Sequence, residues 1–152
     1  KEKVDAGAQY IMTQMFFDNK KYFEYVDACR SIGINVPIIP GLKPITNKKQ
    51  LTVLPNIFFV DIPEALSKAM NAATTDEACE QVGTEWLIQQ SKELKAAGVP
   101  VLHYYTLGKP KVIESVCKTF SLKTHTDAMR YIYKWFKNKF NLQVYTANIL
   151  DW

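Results

Sequence analysis

Short continuous apolar runs alternate along the chain with stripes of helical spacing. Ala8 to Met15 is a mostly apolar run entered through Gly7, and it predicts a buried strand. After Phe16-Phe17-Asp18-Asn19, apolar residues recur at Tyr22, Phe23, Val26 and Cys29 (or Ala28), a helical spacing. Asp18 or Asn19 suits the N-cap and Gly33 the C-terminal stop. Val36 to Gly41 is a second buried run bounded by turn residues. Thr46 or Asn47 then caps a short helix through about Leu54, which Pro55 is expected to end, and Pro63 suits the first turn of another through about Ala72. Thr75-Asp76-Glu77 opens a long helix whose apolar stripe, Ala78, Val82, Trp86, Leu87 and Leu94, stops at Gly98. Pro100 to Thr106 is rich in β-formers and reads as a third strand. Lys109 to Phe120 is helical again, with Val112, Ile113, Val116 and Phe120 on one face.

The resulting order, β-α-β-α-α-α-β-α, predicts an α/β unit with a parallel sheet and helical crossovers. Three strands cannot close a barrel, and a parallel (β/α)8 barrel takes about 250 residues. The pattern is therefore that of a piece of something larger, an expectation strengthened by a first residue, Lys1, that is not Met.

Composition narrows the class. Of 152 residues 47% are apolar, enough for one sizeable core. No apolar run reaches about eighteen residues, so no membrane span is expected, and no signal peptide opens the chain. Cys29, Cys79 and Cys117 are odd in number and widely spaced, which favours a reducing, cytoplasmic setting over a disulfide framework. A net charge of +4 is too mild to imply nucleic acid. Much of that charge sits in residues 122–152, where Lys123, Arg130, Lys134, Lys137 and Lys139 face only Asp127 and Asp151, among crowded aromatics. That tail is taken as a second unit, a helix from Asp127 to about Phe140 and a short strand at Gln143 to Ala147. A basic aromatic helix invites a nucleic-acid or membrane-surface role; packing of its aromatics on the preceding unit is the favoured alternative.

In parallel sheets, functional groups gather at the carboxyl ends of strands. That rule selects Thr13 to Asp18, Pro40 to Pro44 and Tyr104 to Lys109. These segments supply amides, hydroxyls, aromatics and cations, without a nucleophile–base pair, a metal cluster or a phosphate-cradling glycine loop. Such walls suit a flat polar heteroaromatic ligand better than hydrolysis.

The string Lys3-Val4-Asp5-Ala6-Gly7-Ala8 followed by Thr13-Gln14-Met15-Phe16-Phe17-Asp18 resembles the flavin-dependent methylenetetrahydrofolate reductases. Pro37 to Pro44 and Leu102 to Leu107 agree with that family in order and spacing, so the resemblance covers residues 1–121 and leaves 122–152 unmatched. It implies the last three β/α units of a (β/α)8 TIM barrel. It also implies an enzyme of one-carbon metabolism that passes hydride from NAD(P)H through FAD to methylenetetrahydrofolate.

Carried over by matching residues, Gln14 is the glutamine expected to bond the folate's pterin ring, whose edge needs both a donor and an acceptor. Gln50 matches a second substrate-contacting glutamine, Leu54 an apolar residue against the stacked ligands, and Lys109 an arginine that contacts substrate. Lys3 matches a lysine near the flavin, although its neighbour Glu2 departs from the basic residue common there. Most flavin contacts and the proton donor belong to earlier strands outside this sequence. The expected partner is thus the missing N-terminal half of the barrel, with the fragment alone retaining neither FAD nor turnover, and a homo-oligomer left open. A non-catalytic binding or assembly module with a new basic tail is the alternative. His103, Asp5, Asp18 and Asp61 are read as wall, turn and capping residues, and the three cysteines as core thiols. Tyr104 and Tyr105 must point to opposite faces, one of them towards the site.

Overall fold

A computed structural model describes residues 1–106 and 110–119. The chain divides into two compact units, Lys1–Val116 and Cys117–Trp152. The expectations for the tail, and for Leu107, Gly108 and Lys109, fall outside the described residues.

Three parallel strands, β1 (Ile11–Met15), β2 (Ile38–Leu42) and β3 (His103–Tyr104), lie in the order β1-β2-β3. The predicted alternation therefore holds, with helices α2 (Asn19–Ser31), α3 (Gln50–Phe58), α4 (Glu64–Ala72), α5 (Asp76–Ala96) and α6 (Pro110–Thr119) in the expected places. A four-residue turn of helix, α1 (Glu2–Asp5), was not foreseen; it is too short to show a stripe. β2 is central and buried throughout, which explains its unbroken Ile-Ile-Pro-Gly-Leu sequence.

Local chemistry sets the ends of the helices. Asp18 Oδ1 accepts from the Lys20 N–H at 2.9 Å and Thr75 Oγ1 from the Ala78 N–H at 3.1 Å, as N-caps do. Two glycines that follow helices, Gly33 and Gly98, adopt positive φ. Pro55 corrects the sequence expectation, since it lies inside α3 rather than ending it. Leu51, Leu54 and Phe58 bury one face of that helix against Met15, Phe17, Ile45, Leu66, Met70 and Cys79. Burying three such side chains is worth several times about 1.5 kcal/mol, enough to outweigh the roughly 3 kcal/mol cost of an interior proline. α3 also starts later than Thr46 or Asn47. Asn47 Oδ1 accepts from the Gln50 N–H at 3.2 Å across an intervening turn.

Two more expectations need correction. β3 is two residues long because its ladder to β2 covers only Gly41↔His103 and Leu42↔Tyr104. The buried line of α5 runs through Cys79, Gly83, Leu87, Gln90, Ser91 and Leu94, so Leu87 and Leu94 of the predicted stripe are buried, while Ala78, Val82 and Trp86 lie one position round from that line. Gly83 sets that rotation: a Cβ there would stand 1.7 Å from the Ile45 carbonyl oxygen, so only glycine lets α5 lie on that backbone. Among the described residues no helix is long and apolar enough to cross a membrane.

Candidate functional site

The carboxyl ends of β1 and β2 are shaped by one proline. Pro40, in the middle of the central strand, has no N–H to give, and the β1–β2 register breaks between Met12 and Met15 beside it. The next amide compensates: the Gly41 N–H donates to Thr13 Oγ1 at 2.9 Å. A Cβ on Gly41 would lie 2.5 Å from the Thr13 carbonyl oxygen and 2.7 Å from the Tyr105 ring, so glycine is needed for this close approach.

Tyr105 crosses from the end of β3 and donates its hydroxyl to that same Thr13 carbonyl at 3.1 Å. Tyr104 points the other way, where its hydroxyl bonds Ser91 on α5 at 3.0 Å. The division between two faces, left open by the sequence, is thus settled in favour of Tyr105 on the side of Gly41 and Thr13. His103 packs edge-on against the Tyr105 ring with centroids 4.6 Å apart, a wall contact.

The irregularity of β1 turns Gln14 out to solvent. Its Oε1 accepts from the Met15 N–H at 2.9 Å, which fixes the amide and leaves Nε2 to donate elsewhere. Gln14 lines a cavity of about 440 Å³ together with Met12, Phe16, Tyr25, Phe58 and Phe59. Phe59 is 91% exposed and held in the left-handed region at φ 55°. On the same wall Lys21 pairs with Asp61, and that bond raises the lysine pKa. Phe16 stacks on Tyr22 at 5.4 Å, and Tyr22 donates to the Ile38 carbonyl at 2.8 Å, while burial raises its phenol pKa. The mouth is thus aromatic, with one presented amide.

Gln50 opens α3, half-buried, and its Oε1 accepts from the Thr46 N–H at 2.7 Å. Leu54 is one helical turn further on and buried in the core beside Met15 and Phe17. Leu54 thus belongs to the core behind the strand tip rather than to the cavity, and Gln50 does not line the Gln14 cavity either. Lys3 stands exposed on α1, ahead of β1, with no described contact to the strand tips. Asp18 caps α2 and Asp5 pairs with Lys1, as capping and turn residues should. Cys29 and Cys79 are buried; Cys117 is only half-buried.

Sequence reasoning placed Lys43 in a strand-tip segment but gave it no role. It follows β2 directly, is 5% exposed, and its Nζ donates to the Pro44 carbonyl at 3.1 Å, with burial lowering its pKa. Tyr25 and Phe59 were overlooked, since exposed aromatics off the main stripe carry no periodic signal. A larger hollow of about 600 Å³ lies between Thr46–Asn47 and the start of α5, but Asp76, Glu77, Glu80 and Glu85 wall it, an unsuitable setting for an anionic ligand. No group of three or more His, Cys, Asp or Glu able to hold a metal occurs among the described residues. Nor do those residues form a flavin cradle. The one lysine carried over for FAD, Lys3, is solvent-exposed on α1, away from the strand tips.

Residues 1–121 match the sequence model of the methylenetetrahydrofolate reductase family. Methylenetetrahydrofolate reductase (NADH) 1 of Arabidopsis thaliana is 39% identical over 112 residues, covering 73% of this chain and 19% of the relative. The 5,10-methylenetetrahydrofolate reductase of Buchnera aphidicola is 38% identical over 123 residues, covering 80% and 42%. The Escherichia coli protein of that name is 36% identical over 124 residues, covering 81% and 42%. The chain thus spans less than half the length of these relatives.

Proposed function

Because this chain belongs to the methylenetetrahydrofolate reductase family, we propose that it supplies the folate side of the pocket in a reductase acting on 5,10-methylenetetrahydrofolate. In that role it is the last three β/α units of a TIM barrel, completed by the N-terminal half, which brings most of the FAD site. The observation that carries the proposal is Gln14, exposed at a broken strand tip with its Nε2 free, beside an aromatic cavity. A pterin edge offers an acceptor to that Nε2 and a ring face to the aromatic wall. Gln50 and Lys109 act on the same substrate, Gln50 after its bond to the Thr46 amide yields to the ligand, whereas Leu54, buried in the core, supports the wall from behind. Lys3 meets the flavin only once the rest of the barrel surrounds it. The hydride chemistry would be supplied by FAD held in the completed barrel, while the residues described here position and orient the folate.

The 152 residues alone retain neither FAD nor turnover under this proposal, and work in the cytoplasm as part of the whole enzyme. The test is direct. The purified chain should be colourless and should not oxidise NAD(P)H, and co-expression with an N-terminal barrel half should restore both flavin and folate reduction. A yellow, active fragment would contradict the division of labour. A complex that holds flavin but ignores folate would contradict the substrate.

A further inference from the structure

Helix α3 closes on a bulky residue in a conformation that bulky residues avoid. Phe59 sits in the left-handed region at φ 55°, and it is the one non-glycine with positive φ among the described residues. Its N–H donates to the Pro55 carbonyl at 2.9 Å, so it holds the place that helix ends ordinarily give to glycine or asparagine. A side chain of this size is strained there, because its Cβ crowds the backbone. Phe59 is also 91% exposed, more than any other large apolar side chain among the described residues. Burial therefore does not offset the strain within this chain. A ring kept in water on a strained backbone points to a role in contact with something else.

Its position says what it meets. Phe59 lines the same cavity of about 440 Å³ as Gln14, with Met12, Phe16 and Tyr25 among the other walls. Gln14, Met12, Tyr25 and Phe59 are all exposed, so a ligand in that cavity reaches them directly, whereas Leu54 is buried behind the strand tip. The segment carrying Phe59 is also tied down. Two residues on, Asp61 pairs with Lys21 from the first turn of α2, and both residues line the cavity. An exposed pair of this kind adds little stability. Together with the Pro55 bond, however, it holds the ring's backbone in place before a ligand arrives, which lowers the ordering cost of binding.

We propose that Phe59 is a ligand-contacting residue of the Gln14 site, its ring packing on the flat heteroaromatic ring whose edge bonds Gln14. The inference rests on the pterin reading of that site and adds a second determinant to it. Gln14 recognises the ring's edge through its amide, and Phe59 supplies aromatic contact with the ring itself, a contact that is favourable beyond the area it covers.

The test uses the full chain, with isotope labels on the Gln14 side-chain amide and the phenylalanine rings, titrated with 6-methylpterin and followed by NMR. Saturable shifts at the Gln14 amide and the Phe59 ring, with one common midpoint, are expected. Phe59→Gly should weaken pterin binding about tenfold. Its melting temperature should stay level or rise, because glycine accepts the left-handed backbone without strain. Phe59→Tyr should bind like the parent, and Phe59→Leu, which keeps apolar bulk without a ring, should not. Shifts at Gln14 without shifts at Phe59, or a Phe59→Gly chain that binds as tightly as the parent, would overturn this inference and leave the Gln14 reading intact. Weaker binding accompanied by a lower melting temperature in Phe59→Gly would make the ring a structural support, and the inference falls. Silence at both side chains would remove the pterin reading and this inference with it.

Discussion

Gly41→Ala is the sharpest perturbation of the strand tips. Its φ is not positive, so alanine adopts the backbone freely and any loss comes from contact alone. The new methyl would meet the Thr13 carbonyl oxygen at 2.5 Å, the Tyr105 ring at 2.7 Å and the Gln14 carbonyl oxygen at 3.3 Å. Tyr105 can swing away, but Thr13 is backbone held by the sheet, so β1 must shift by most of an ångström. Overpacking of this kind costs about 1–3 kcal/mol. Losing the Tyr105–Thr13 hydrogen bond adds about 1 kcal/mol. A total of about 3 kcal/mol lowers the melting temperature of a chain this size by roughly 10 °C. Thermal denaturation followed by circular dichroism measures it, with Tyr105→Phe as the reference that removes the hydrogen bond without adding the methyl. In the assembled enzyme the same shift moves Gln14, and a misplacement of about 1 Å can cost about a hundredfold in rate. A Gly41→Ala protein as stable as the parent would refute the close approach and the account of how Gln14 is presented.

Gly83→Ala should also destabilise, by about 2 kcal/mol or more after the roughly 1 kcal/mol gained in helix propensity; urea denaturation showing the usual mid-helix gain instead would mean that α5 does not rest on Ile45. Thr75→Ala should cost about 1 kcal/mol and speed hydrogen exchange at the Ala78 amide, the donor it strands; unchanged exchange there would remove the cap. Lys43→Met should stabilise the chain at pH 7 by about 1–2 kcal/mol, because a buried ammonium is desolvated on folding. The folded pKa of Lys43 lies below its ordinary 10.5, so between the two values the unfolded chain holds more protons and parent stability rises with pH. The advantage of methionine must therefore shrink as pH climbs through that window; a gain constant with pH would contradict the burial.

The parallel order was legible because each element carries its own signal: an unbroken apolar β2, a capped α2, and glycines that close helices. Pro55 misled because propensity is local, whereas the burial of Leu51, Leu54 and Phe58 depends on elements distant in sequence. The rotation of α5 escaped for a related reason. Gln90 and Ser91 look like surface residues until their partners, the Phe16 carbonyl and the Tyr104 hydroxyl, are brought alongside. Gln14 was selected by its place at a strand end and by family resemblance, but its presentation depends on Pro40 lacking an N–H, a consequence of pairing two strands rather than of either alone. Lys43 was selected with its strand-end segment, but its burial gave no sequence cue, since a lysine between Leu42 and Pro44 reads as a turn residue.

The assembled barrel offers the decisive measurement: folate-dependent oxidation of NAD(P)H by this chain co-expressed with an N-terminal half, in parent and Gln14→Leu forms, with flavin content determined alongside. Equal flavin in both forms, and folate turnover in the parent that collapses in Gln14→Leu, is the result predicted here. A flavin-loaded Gln14→Leu enzyme that reduces the folate as well as its parent would contradict the account at its centre.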